Sequence, residues 1–85
     1  MVLILMIDGA KNRDKIFKIN FKETEVEFYV SDYNHVYHEG NLLGFEDLIK
    51  ASCIASIINR CGLTVEIVDV ETGELQKSVS KISLG

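Results

Sequence analysis

Two neighbouring stretches alternate apolar and polar residues without a slip. Phe17, Ile19 and Phe21 interleave with Lys18, Asn20 and Lys22, and Val26, Phe28 and Val30 interleave with Glu25, Glu27 and Tyr29. A period of two sends one set to each side of an extended chain, so each stretch reads as a strand with one buried face. A tight link near Glu23-Thr24 makes the two neighbours. The pleat then sorts acids and a tyrosine onto one exposed surface.

The rest of the chain fits around this pair. Val2-Leu3-Ile4-Leu5-Met6-Ile7 is continuously apolar and stops at Asp8-Gly9. It lacks a basic leader and falls far short of the roughly 20 residues that span a bilayer, so it predicts a buried central strand, covered on both faces or sealed by a partner. Ser31-Asp32-Tyr33-Asn34 has turn chemistry, with Asp and Asn suited to left-handed backbone. A short strand from His35 to His38 follows, and Glu39-Gly40-Asn41 breaks the chain. A helix is predicted over about residues 45–61, with Glu46 and Asp47 near its positive end and Gly62-Leu63 as its terminating cap. Thr64 to Val70 is β-branched and strand-like, Glu71-Thr72-Gly73-Glu74 is a hairpin turn, and Leu75 to Leu84 returns as an edge strand protected by Lys77 and Lys81.

The order β-β-β-β-α-β-β predicts an α+β fold: a mostly antiparallel sheet of about five or six strands with one long helix on a face. The chain has 85 residues and no proline. That length suits one domain, residues 1–85, with a small core.

Charge narrows the function. The net charge is −4, which argues against a general nucleic-acid binder, because phosphate neutralisation needs concentrated Lys and Arg. The basic run Lys11, Arg13, Lys15, Lys18 and Lys22 is the local exception and reads as solvated loop charge. Between Glu23 and Ile49 the balance inverts: seven carboxylates, all three tyrosines and both histidines occur with no Lys or Arg. Glu25, Glu27, Tyr29, Asp32, Tyr33 and Tyr37 are therefore the candidate partner-binding residues, with carboxylates to steer a basic protein and tyrosines to anchor it. This is the pattern of a small acidic inhibitor or adaptor that presents carboxylates where nucleic-acid phosphates would sit. Neither a membrane nor direct nucleic-acid contact is expected.

The helix carries a second expectation. Leu48, Ala51, Ile54, Ala55, Ile57, Ile58 and Cys61 occupy one half of the wheel and should pack on the sheet. The other half has no charge from Ala51 through Asn59, and its small residues would let a second helix approach. Ile49, Ser52, Cys53 and Ser56 are the candidate self-association residues, in a structural subunit that forms a dimer or larger assembly through this face or a sheet edge.

Catalytic readings are weaker. Asp32, His35, His38 and Glu39 contain metal-ligating groups, but a strand would point the two histidines to opposite faces, so no metal and no cofactor are assigned. Cys53 and Cys61 sit where a helix would not activate a thiolate, and they are expected to be buried, free thiols. Their spacing of about 12 Å along a helix is beyond disulfide reach, which points to a reducing, cytoplasmic setting. Glu25 and Glu27 share a face but lack a third catalytic group. The isolated glycines match neither phosphate-binding loop pattern. A non-enzymatic domain is the expectation.

Overall fold

In the computed structural model, which describes residues 1–80, the chain is α+β, with eight strands in two four-stranded sheets, one α-helix and a short 3-10 turn at Ala10–Asn12. The strands are β1 (Leu3–Ile7), β2 (Lys15–Phe21), β3 (Thr24–Val30), β4 (Val36–His38), β5 (Asn41–Leu42), β6 (Gly44–Phe45), β7 (Val65–Asp69) and β8 (Leu75–Val79); the helix α1 is Leu48–Asn59. Sheet A runs β6-β1-β7-β8 and sheet B runs β2-β3-β4-β5. Every pairing is antiparallel.

The class matches the sequence reading, and the partition into two sheets corrects the expectation of one sheet of five or six strands. The helix is shorter than the predicted 45–61. Gly44 and Phe45 are drawn into sheet A, opposite Ile4 and Leu3, and Asp47 becomes the N-cap, its Oδ1 accepting from the Ile49 N–H at 2.6 Å. Such a cap satisfies one of the orphan donors of a first turn and fixes where the helix begins. At the other end Gly62 takes φ 92°, a left-handed conformation that glycine adopts without penalty. Part of the predicted strand Leu75–Leu84 lies outside the described residues.

The core explains the layering. On α1, Ala51, Ala55 and Ile58 are fully buried, and this i, i+4, i+7 stripe packs with Leu3, Leu5, Ile7, Val65 and Ile67 of sheet A. Two alanines let the helix axis come close to the sheet. β1 lies between β6 and β7, so its unbroken apolar run belongs to an interior strand. Leu48, at 41% exposed, and Cys61 do not join the core as predicted. Leu48 opens the helix beside its cap, and Cys61 falls past the helix end, in the turn before Gly62.

Sheet B contributes Ile19, Phe28, Val30 and Val36 to the same core. It is tied to sheet A by a bridge between Met6 and His35 and by the buried Asn34. Asn34 Nδ2 donates to the carbonyls of Ile7 at 2.7 Å and Gly9 at 2.9 Å, its Oδ1 accepts from Arg13 Nε at 2.7 Å, and its own carbonyl accepts from the Ile7 N–H at 2.9 Å. Because α1 packs chiefly on sheet A, the inner face of sheet B is only partly covered. A cleft of about 180 Å³ remains there, lined by Ile19, Phe21, Val26, Phe28, His38, Leu43, Phe45, Ile54 and Ile57.

Candidate functional site on the outer face of sheet B

The antiparallel register places Ile16 opposite Tyr29, Tyr29 opposite Tyr37, and Tyr37 opposite Leu42. These four side chains form one row across all four strands. Directly opposed residues in a sheet touch their neighbours, and the rings of Tyr29 and Tyr37 meet edge-on at 6.3 Å between centroids. Ile16 is 60% exposed, a large apolar surface at a position where the strand pattern calls for a polar residue.

Carboxylates flank the row. Ile16, Glu27, Tyr29, Tyr37, Glu39 and Gly40 border a shallow groove of about 360 Å³. Glu25 adjoins it through a second groove shared with Glu27 and Glu39. On the opposite flank the Tyr29 hydroxyl donates to Asp14 Oδ1 at 2.7 Å. That hydrogen bond to a carboxylate raises the Tyr29 pKa above its usual 10.0, helped by desolvation and by the charges of Asp14 and Asp32.

Of the candidate partner-binding residues, Glu27, Tyr29 and Tyr37 converge on one groove, Glu25 lies beside it, and Asp32 is near enough for its charge to act on Tyr29. Tyr33 stands apart: it is 73% exposed and its ring lies 6.4 Å from that of His35. The acidic segregation seen along the chain is partly undone by the hairpin. Lys18 of β2 lies opposite Glu27, and its Nζ is 3.8 Å from Glu25 Oε1. Both side chains of that pair are well exposed, so it adds little to stability, but it leaves the surplus of negative charge at Glu27 and Glu39.

Three contributors escape the sequence reading. Ile16 and Leu42 complete the row, and Asp14 holds the Tyr29 hydroxyl. An isoleucine on the lysine-bearing side of β2 is the one signal that marks the first of these. The other two depend on register.

The candidate self-association residues also come together. Ile49, Ser52, Cys53 and Ser56 line one wide groove of about 610 Å³ with Phe21, Leu48, Ile57, Arg60 and Lys77. Lys77 Nζ, reaching from β8, lies 3.5 Å from Ser52 Oγ. Both cysteines are free and exposed, which corrects the expectation of buried thiols; Cys53 lies off the Ala51–Ala55–Ile58 stripe, and the chain leaves the helix before Cys61.

His35 and His38 serve different surroundings. His38 packs against the ring of Phe28 at 5.4 Å, while His35 pairs with Met6 and lies beside Tyr33. Among the described residues, no three of His, Cys, Asp and Glu cluster closely enough to hold a metal ion, and no helix is long and apolar enough to cross a membrane. Comparison with protein-family models, curated proteins and solved structures finds no match to this chain.

Proposed function

We propose that this chain is a non-enzymatic protein-binding domain, a small acidic inhibitor or adaptor that docks the outer face of sheet B on a basic, nucleic-acid-binding protein. The observation that carries the reading is the row Ile16–Tyr29–Tyr37–Leu42 with Glu27 and Glu39 beside it. Tyrosine offers large contact area at low entropic cost, and rim carboxylates steer encounter with a positive surface. No cofactor, metal, membrane or direct nucleic-acid contact enters this reading. A reducing, cytoplasmic setting goes with it, in keeping with two exposed free cysteines.

The test starts from affinity capture at low and high salt and proceeds to binding kinetics with the captured partner. Glu27→Lys with Glu39→Lys is expected to slow association and flatten its salt dependence. Tyr29→Ala or Tyr37→Ala is expected to speed dissociation, costing about 2 kcal/mol, or roughly 30-fold in affinity. Unchanged kinetics in all of these folded variants would refute the docking face.

A second reading is favoured by the convergence of Ile49, Ser52, Cys53 and Ser56 on one groove. In it the chain is a structural subunit that self-associates through the exposed side of α1.

A further inference from the structure

The cleft between α1 and the inner face of sheet B adjoins both surfaces described above, sharing Phe21 and Ile57 with the groove beside α1 and His38 with the acidic groove. We infer that it binds a small neutral aromatic molecule of one or two rings. Its volume of about 180 Å³ is a little larger than the roughly 150 Å³ apolar cavity that stays dry and takes up benzene in an engineered protein.

The lining selects the chemistry. Eight of the nine lining residues are apolar, and none carries a carboxylate, ammonium or guanidinium group. A charged ligand would lose its hydration with no countercharge in return. Phe21, Phe28 and Phe45 reach the space from three different strands, β2, β3 and β6. Rings arriving from separate directions suit a flat guest, which can meet them edge-to-face or offset.

His38 is the one polar group on the wall. Its imidazole is held against Phe28, with the ring planes 41° apart, and it also borders the acidic groove of Glu25, Glu27 and Glu39. The imidazole therefore stands between an apolar interior and water. The cleft presents almost no polar surface, so a guest is held there by apolar and ring contacts. Phe21, 40% exposed, stands at the end of β2 where the cleft meets solvent, so a ligand can enter without unpairing either sheet.

The experiment is a titration of the full chain with indole, and in parallel with toluene, followed by carbon-13 methyl NMR. Saturable shifts are expected at Val26, Leu43 and Ile54, with Val65 and Val68 of sheet A unmoved. Ile54→Trp fills the cleft and should abolish the shifts at Val26 and Leu43 while sheet A keeps its methyl dispersion; Leu43→Phe, read at Val26 and Ile54, makes the same test should the larger side chain prevent folding. Shifts that never saturate, or equal indole binding in a folded cleft-filled variant, would overturn the site.

Discussion

Asn34 is buried and ties together segments that lie far apart along the chain. It adopts φ 66°, a left-handed backbone that asparagine tolerates better than most residues, and its amide joins β1, the Gly9 turn and Arg13. Asn34→Ala would strand two carbonyls and add backbone strain. The expected loss is about 2–4 kcal/mol, read as a lower urea midpoint with an unchanged slope. Asn34→Gly relieves only the backbone part and should fall between Asn34→Ala and the parent. The turn chemistry of this asparagine is legible in the sequence. Its role as a tie between sheets is not, because the carbonyls it satisfies lie far away along the chain.

At the scale of elements, the β2–β3 hairpin shows local preference yielding to register. Phe21 pairs with Thr24, so the link is Lys22-Glu23, and both residues have positive φ, 49° and 66°. That is the geometry of a tight hairpin turn that Asn-Gly fits and bulky residues resist. Antiparallel pairing over seven residues of each strand, with one side of each strand turned to the core, holds the turn in place. Replacing Lys22-Glu23 by Asn-Gly should therefore stabilise the protein by about 1 kcal/mol, net of the contact between Lys22 and the Phe21 ring at 5.4 Å. A thermal midpoint that fails to rise would show that the strain is already relieved. The β4–β5 link, Glu39-Gly40, has the same pair of positive φ values, 52° and 80°, and needs only one non-glycine residue to accept them. The sequence marks that site as a break; the structure makes it a hairpin.

For the molecule as a whole, the wide groove beside α1 decides between a monomeric binder and a subunit. If the groove is an interface, light scattering should show a mass above 9.6 kDa that rises with concentration, and Ser56→Arg, adding charge beside Arg60, should return it to the monomer. A parent chain that stays monomeric at high concentration would leave α1 outside the assembly question. By itself the sequence determined the α+β class, the half-buried hairpin, the interior strand β1 and the presence of one helix, because period-two and helical patterning are local properties that burial enforces residue by residue. It also named Glu27, Tyr29 and Tyr37 as candidates; Glu27 and Tyr29 are exposed by the pleat of β3, whereas Tyr37 is half-buried on β4. The tertiary structure alone decided that the strands divide into two sheets, that Ile16 and Leu42 extend the tyrosine row, that Lys18 tempers Glu25, and that a cleft stays open beneath α1. Each of these depends on which distant backbone groups pair. Pairing is fixed by the packing of the whole core and leaves no periodic mark on the chain.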